Sequence, residues 1–278
     1  MSDLEGSLRI AGHEVASYVL APEIDPTLVP RPYLHPVRTL AGTVVTDALP
    51  ADHEWHLGAG LAIADVAGTN LWGGRSYVHG KGYVSLPDHG RIDHVTWHQQ
   101  SDSVLEHDLV WRDHEGADLL AEHRTLTAVA TAATASGDAW RLTFATTLTN
   151  VRPTPVEIRS PATNGRGEGA GYGGFFWRLP PTEGIGIVAR DPQSAELARG
   201  EEFVNGSALP ELTVSGSSDG AGGRPYTLTF TGLADADRCF VRAAEYPAVG
   251  VAFAYHRPLI LAPGTALART FTVTLADS

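Results

Sequence analysis

A period-two alternation of mainly apolar and mainly polar residues recurs along this chain, and it limits the possible folds more than any other feature. One such segment runs from Leu105 to Arg112 and another from Trp140 to Leu148. In two more, 226–231 and 270–275, aromatic or aliphatic residues alternate with threonine. A period of two places successive side chains on opposite faces of a β-strand, and β-branched residues suit its pleat. The pattern therefore predicts half-buried antiparallel strands.

Turn-forming residues gather between these segments, as expected where strands reverse direction. Only the segment from Asp191 to Gly200 has the pattern of a short helix, with Asp191 as its N-cap and Pro192 in its first turn. The stretch 217–223, SSDGAGG, is typical of a hairpin loop. No internal repeat or linker divides the chain. We therefore predict an all-β fold, a large antiparallel β-sandwich in which residues 1–278 form one domain.

The composition excludes several classes of partner. The net charge is −12 and no run of lysine or arginine occurs, which disfavours binding to nucleic acids and anionic lipids. The single cysteine, Cys239, can form neither a disulfide within the chain nor a cysteine-rich zinc site. No apolar signal segment opens the sequence, and no apolar stretch reaches the roughly 20 residues that span a bilayer. We expect a cytoplasmic protein, and the scarcity of lysine beside alanine, arginine and glycine suits a bacterial source.

Histidines are concentrated in the first part of the chain, with eleven of the twelve before residue 124. The region 31–74 combines them with aspartates, arginines and tryptophans among glycine and proline turns. Imidazole, carboxylate and guanidinium groups in one region make acid–base, metal-binding or sugar-binding chemistry possible. The candidate site residues of this region are Arg31, His35, Arg38, Asp52, His53, His56, Asn70 and Trp72.

A metal site is one alternative for this region. His53 and His56 are three residues apart, and on a loop this spacing lets both bind one ion. Asp52 could ligate as well or orient an imidazole, and His35 could supply a third nitrogen. Two histidines and a carboxylate would suit non-haem iron, whereas three histidines would suit zinc or copper. A divalent metal is therefore an alternative cofactor, with His35, His53 and His56 as its ligands.

A carboxylate and a guanidinium lie on an otherwise apolar strand face in the segment LLAEHRTLT. Glu122 and Arg124 share this face with Leu120 and Leu126. Burying charges is costly unless they are paired. The face therefore holds either a structural ion pair or the lining of a polar pocket.

Aromatic residues crowd the segment GYGGFFWRLP, which spans 171–180. Aromatic rings stack on sugar rings as well as on core partners, and core packing is expected for at least two of these rings. Trp177 is the candidate substrate-binding residue of the group. The four aromatic residues are Tyr172, Phe175, Phe176 and Trp177.

The segments RPYLHPVRT, PADHEWHLG, NLWGG, GRIDH and AEHRTLT together resemble one family. They are similar to bacterial PmoA-family proteins, also called methane oxygenase-like, a domain of largely unknown function. The resemblance extends over nearly the whole chain, and the first two segments are its most specific marks. Members of that family look like partners of sugar-modifying oxidoreductases, so the resemblance implies a link to carbohydrate metabolism. It does not imply methane oxidation, because the particulate methane monooxygenase subunit is an integral membrane protein.

A second resemblance covers the end of the chain. The stretch FVRAAEYPAVGVAFAYHRPLILAPGTALARTFTV looks like the end of aldose 1-epimerase-type proteins, and GGFFWRLP is similar to their mid-chain aromatic strand. This likeness implies a galactose-mutarotase-like supersandwich that acts on sugars through acid–base residues. It makes Glu245 the candidate base and either His53 or His56 the candidate acid.

Our leading hypothesis is a carbohydrate-active enzyme that performs epimerisation, mutarotation or lyase-type proton transfer on a sugar or keto-sugar. It requires no cofactor, and its partner is a sugar-like small molecule. The alternatives are a histidine-ligated metalloenzyme, oxygenase-like or hydrolytic, and a non-catalytic carbohydrate-binding or partner module. The candidate catalytic residues are His53, His56, Glu122 and Glu245, and the candidate substrate-binding residues are Arg31, His35, Arg38, Asp52, Asn70, Trp72, Arg124 and Trp177.

Overall fold

A computed structural model describes residues 5–132, 137–167, 169–182, 184–217, 224–234 and 236–278. The hairpin loop predicted at 217–223 lies almost wholly outside these described residues. Regular structure within them is nearly all β, with one short α-helix, α1 (Glu201–Val204), a 3-10 turn at Pro26–Leu28 and a π-helical turn at Ala162–Arg166. The strands in chain order are β1 (Glu5–Ile10), β2 (His13–Val19), β3 (Tyr33–Val37), β4 (Ala59–Val66), β5 (Thr69–Leu71), β6 (Ser76–Val78), β7 (Gly82–Val84), β8 (Arg91–Gln100), β9 (Val104–Arg112), β10 (Asp118–Ala130), β11 (Ala139–Asn150), β12 (Val156–Arg159), β13 (Gly174–Arg178), β14 (Gly186–Arg190), β15 (Leu197–Arg199), β16 (Glu211–Ser217), β17 (Pro225–Thr231), β18 (Arg238–Arg242), β19 (Ala248–Ala252), β20 (Leu259–Leu261) and β21 (Ala266–Asp277).

Within the described ranges these strands form two large sheets and one small hairpin. The ten-stranded sheet has the order β1-β2-β3-β4-β13-β19-β18, with β5, β12 and β20 attached beside it. The nine-stranded sheet has the order β15-β14-β16-β17-β21-β11-β10-β9-β8, and β6 pairs with β7 alone. Neighbouring strands pair antiparallel in both sheets. No helix among the described residues is long and apolar enough to cross a membrane.

The core lies between the two sheets and is built by the alternation seen in the sequence. In β9 the inward residues Leu105, Leu109 and Trp111 are buried, and Glu106 and Asp108 between them are partly exposed. Aromatic rings join the sheets, since the Phe175 ring of β13 lies 5.1 Å from Phe144 of β11 and 4.9 Å from Phe271 of β21. The predicted large antiparallel β-sandwich is confirmed.

The short helix predicted between Asp191 and Gly200 is wrong. The Asp191 side chain accepts a hydrogen bond from the Gln193 backbone N–H at 2.8 Å, which makes a local turn instead of a helix cap. Residues 197–199 then pair with β14 as strand β15. The same residue types serve both structures because an aspartate followed by proline starts turns as readily as helices.

The predicted ion pair between Glu122 and Arg124 is confirmed, and it is wholly buried in the core. The guanidinium donates two hydrogen bonds to the carboxylate, at 2.7 and 2.8 Å. Trp111 and Thr146 donate to the same carboxylate, and Arg124 also donates to the Tyr18 hydroxyl at 2.7 Å. These five partners satisfy one another inside the sandwich. Neither charge has access to a pocket, so the predicted catalytic role of Glu122 and substrate-binding role of Arg124 are not carried into the candidate site.

Candidate functional site

A cavity of about 800 Å³ opens on the outer face of the ten-stranded sheet. Alternation along β13 creates its floor, because Phe175 and Trp177 point into the core while Phe176 between them points outward. Phe176 packs 4.9 Å from Trp72, and Trp72 packs 4.6 Å from Tyr172, measured between ring centroids. Trp72 and Tyr172 line the cavity, together with His53, Trp55, His56, Gly73, Gly74, Arg75, Tyr83, Arg166, Gly169, Glu201, Glu202, Asn205, Arg242, Ala244, Glu245 and Tyr246.

The turn from Pro50 to His56 brings two imidazoles to one wall of this cavity. The His53 backbone N–H donates to the Pro50 carbonyl at 3.0 Å, and the His56 N–H donates to the His53 carbonyl at 2.9 Å. The two rings consequently stack with centroids 4.7 Å apart and planes 13° from parallel. Tyr246 packs against both rings, at 4.4 and 5.0 Å.

A carboxylate orients the first of these imidazoles. His53 Nδ1 lies 2.9 Å from an Asp52 carboxylate oxygen, and Arg178 donates to both oxygens of that carboxylate at 3.3 Å. Partial burial raises the pKa of Asp52, but the hydrogen bond from His53 and the charge of Arg178 outweigh it and lower this pKa overall. The charged Asp52 therefore fixes the orientation of the His53 ring through this hydrogen bond.

The second imidazole is held neutral. His56 is 1% exposed, and its Nδ1 has no hydrogen-bond partner among the residues that the structure describes. Burial lowers the pKa of His56 well below its usual value, and the charges of His53, Arg178 and Arg31 lower it further. A buried, unpartnered imidazole nitrogen beside a cavity can accept or donate one hydrogen bond to a ligand.

Stability is expected to fall as the pH drops below about 6.5, the pKa of histidine in the unfolded chain. Between that value and the depressed pKa of folded His56, the unfolded chain binds more protons. The free energy of unfolding therefore decreases with falling pH, by up to about 1.4 kcal/mol per pH unit from this residue. Urea unfolding at pH 7.5, 6.5 and 5.5 should show a shallower slope for His56→Gln than for the wild type. Equal slopes would contradict the neutral form of His56.

The cavity wall formed by Trp55, Gly73 and Gly74 depends on close packing of the glycine backbone against the Trp55 side chain. Asn70 accepts hydrogen bonds from the Trp72 and Gly73 backbone N–H groups at 2.9 and 2.8 Å, which shapes the turn after β5. Arg31 is buried and donates to the Trp55 carbonyl at 2.9 Å, and burial lowers its pKa to about 9. Arg31 and Asn70 therefore position the cavity wall without lining the cavity themselves.

Gly73→Ala is expected to lower the free energy of unfolding more than the control Gly68→Ala. Both glycines have positive φ, 108° and 84°, so each alanine costs about 1–2 kcal/mol in backbone strain. A Cβ at position 73 would also lie 2.5 Å from the Cβ of Trp55, whereas a Cβ at position 68 meets nothing within 4 Å. This overpacking adds about 1–3 kcal/mol. Equal losses in chemical denaturation would contradict the packing of Trp55 on this turn.

The remaining rim carries charges from distant parts of the chain. Arg242 at the end of β18 lies 3.4 Å from Glu201 of α1 and donates to the Gly169 carbonyl. The second Glu201 oxygen accepts from the backbone N–H groups of Ala243 and Ala244, at 2.7 and 3.0 Å. Glu245 is exposed and lines the same rim. Sequence reasoning missed Glu201, Glu202, Arg75 and Arg166, because nothing in their local sequence indicates which distant segments they meet.

The predicted site residues fall into three groups. His53, His56, Trp72 and Glu245 line the cavity, and Asp52, Arg31 and Asn70 hold its walls. Trp177 lies in the core, where its indole N–H donates to the Val45 carbonyl at 2.8 Å, so its predicted contact with substrate is replaced by a structural role. His35 and Arg38 do not line the cavity. His35 Nδ1 lies 3.0 Å from the Thr46 hydroxyl, and Arg38 forms an isolated backbone β-bridge with Val44.

The alternative metal site at His35, His53 and His56 does not form. Among the residues that the structure describes, the ligand atoms of these three side chains do not all lie within 4.8 Å of one another. The stacked rings of His53 and His56 also direct their in-plane lone pairs along parallel planes instead of toward one point.

The chain belongs to a family of unknown function, DUF6807, whose match covers residues 6–278. No curated protein matches the sequence. The similar solved structures include a "putative aldose 1-epimerase" from Escherichia coli K12, with 11% identity, a TM-score of 0.42, and coverage of 99% of this chain and 100% of that one. They also include the galactosidase domain of the alpha-galactosidase-sucrose kinase AgaSK, with 9% identity, a TM-score of 0.41, and coverage of 99% of this chain and 40% of that one. The PmoA-family resemblance stays a prediction, and we argue function below from this chain's own residues.

Proposed function

We propose that this protein binds a sugar or keto-sugar in the cavity and catalyses a proton transfer on it. The observation that carries the proposal is the pair formed by Asp52 and His53, held by Arg178 on the wall of an aromatic cavity of about 800 Å³. Cavities of about 300–1,000 Å³ with apolar walls and a few convergent polar groups are typical small-molecule sites.

The lining suits a sugar because it alternates aromatic faces with charged hydrogen-bonding groups. The rings of Trp72, Tyr172 and Tyr246 offer flat apolar surfaces for the C–H faces of a pyranose. Carboxylates and guanidiniums around them, including Glu201 and Arg242, can bind vicinal hydroxyl groups. A charge-rich rim over an aromatic floor favours a ligand that is polar at its edge and apolar on its faces.

The acid and the base are assigned to His53 and Glu245. In a ring-opening step, Glu245 takes the proton of the anomeric hydroxyl while protonated His53 donates a proton to the ring oxygen. The C1–O5 bond breaks, a carbonyl forms at C1, and each proton returns when the ring closes on the other face. Asp52 holds the ring of His53 in one orientation during this cycle, and neutral His56 beside it offers a hydrogen bond to a sugar hydroxyl.

Proton NMR in D₂O tests this proposal with panels of aldoses, keto-sugars and uronic acids. Saturation transfer between anomers reports ring opening, and deuterium incorporation next to a carbonyl reports epimerisation or elimination. We expect exchange above the buffer rate for at least one sugar class. Saturable binding of a sugar without exchange would support a carbohydrate-binding module instead. The proposal would be overturned if no sugar showed either binding or exchange.

A further inference from the structure

A second set of chemically active side chains lies on the other large sheet. His98 of β8, Asp108 of β9 and His123 of β10 meet on its outer face, at the edge that β8 forms. Asp108 and His123 are directly opposite each other in the strand pairing. His98 lies where the pairing of β8 with β9 is irregular, between Trp97 and Gln99. The cluster therefore depends on three adjacent strands and is separate from the cavity.

The ligand-type atoms of this cluster converge. His98 Nε2 lies 2.8 Å from one Asp108 oxygen, and His123 Nδ1 lies 2.8 Å from the other. One ligand atom from each of the three residues lies within 4.8 Å of the other two. No other group of three or more histidine, cysteine or acidic residues in the described ranges meets this condition. Glu106 adds a further carboxylate oxygen 3.1 Å from His123 Nε2.

We propose that His98, Asp108 and His123 form a binding site for a divalent transition-metal ion of the zinc class. Two imidazole nitrogens and one carboxylate oxygen are a donor set that such ions favour, with the fourth position left to water. Magnesium and calcium do not suit it, since both prefer six or more oxygen ligands.

The change needed to admit the ion is small. Tetrahedral bonds of about 2.0–2.2 Å place ligand atoms about 3.3–3.5 Å apart. The two histidine-to-carboxylate distances of 2.8 Å must therefore widen by roughly half an ångström. The side chains are 39–45% exposed, so rotation about their own bonds supplies this movement without repacking the core.

Charge and topology both favour a cation here. Asp108 and Glu106 place two carboxylates beside the imidazoles, in a chain whose net charge is −12. The pairing of β8 with β9 is irregular at two places, between His94 and Thr96 and near His98. An ion at the cluster would tie this edge strand to its two neighbours and raise the melting temperature.

Metal titration of the full chain, prepared without a histidine tag and stripped with EDTA that is then removed, tests the site. Zn²⁺ binding is measured against a chromogenic chelator, and Co²⁺ reports coordination through its visible absorption. We expect one equivalent per chain for the wild type. We expect His98→Ala and His123→Ala each to weaken binding by about 100-fold or more, since a site of three ligands loses its chelation with any one of them.

Matched variants separate this site from others. His114→Ala removes an exposed histidine from the turn between β9 and β10 and should leave Zn²⁺ affinity unchanged. His53→Ala alters the cavity and should also leave it unchanged. Asp108→Asn keeps the side-chain shape, so weakened binding together with an unaltered circular dichroism spectrum would support the site even where an alanine variant unfolds. No stoichiometric binding by the wild type, or binding retained by both His98→Ala and Asp108→Asn, would overturn the proposal.

Discussion

Arg124→Met is expected to lower the free energy of unfolding by about 3–5 kcal/mol, because it leaves a carboxylate buried without its counter-charge. Glu122 would keep the hydrogen bonds from Trp111 and Thr146 but lose both bonds from the guanidinium. Methionine fills much of the arginine volume, so the loss reports the unpaired charge more than a cavity. Urea denaturation at pH 7 measures the change.

The chain offers a matched control for this experiment. Arg159 and Glu157 form the same i, i+2 pair on β12, with a hydrogen bond of 2.7 Å, but their side chains are 35% and 40% exposed. Arg159→Met is expected to change stability by no more than about 1 kcal/mol, because water solvates the carboxylate that remains. Similar losses for Arg124→Met and Arg159→Met would show that the core pair is not desolvated as described.

His53→Ala is expected to lower the rate of sugar proton exchange by about 100- to 10,000-fold, the usual contribution of one general acid or base. Glu245→Gln should have an effect of the same order. Asp52→Asn keeps the shape of the Asp52 side chain but replaces the carboxylate whose hydrogen bond orients the ring of His53. It should therefore lower the rate while leaving sugar affinity nearly unchanged.

Two controls make this result specific. Glu54→Gln alters an exposed carboxylate in the same turn that does not line the cavity, and His114→Ala alters an exposed histidine in the turn between β9 and β10. Both should retain wild-type exchange rates. Full activity in both His53→Ala and Glu245→Gln would contradict the assigned acid and base. A loss of exchange rate in Glu54→Gln as large as that in His53→Ala would indicate that the turn is distorted and not that a catalytic group is missing.

The sequence predicts the sandwich well because a period of two is a local property. The segment from Leu105 to Arg112 needs no distant information to become a half-buried strand, and the structure confirms it. The segment from Asp191 to Gly200 is different, since its start signal fits a helix and a turn equally. Pairing with β14, which is a tertiary effect, decides that segment in favour of β15.

The candidate site is only partly predictable for the same reason. His53 and His56 belong to one turn, so their neighbourhood is visible in the sequence. Alternation in GGFFWR predicts that Phe176 and Trp177 face opposite sides, but it does not reveal which side is the core. Glu201 is held at the cavity by hydrogen bonds with residues 242–244, about forty positions away in sequence. Such long-range contacts leave no local sequence pattern.

The position of a bound sugar tests the central claim most directly. A crystal structure of the protein with the sugar that exchanges fastest should show the ring against Trp72 and Tyr172, within hydrogen-bond distance of His53 and Glu245. Ligand density at any other surface, with this cavity filled only by water, would contradict the account.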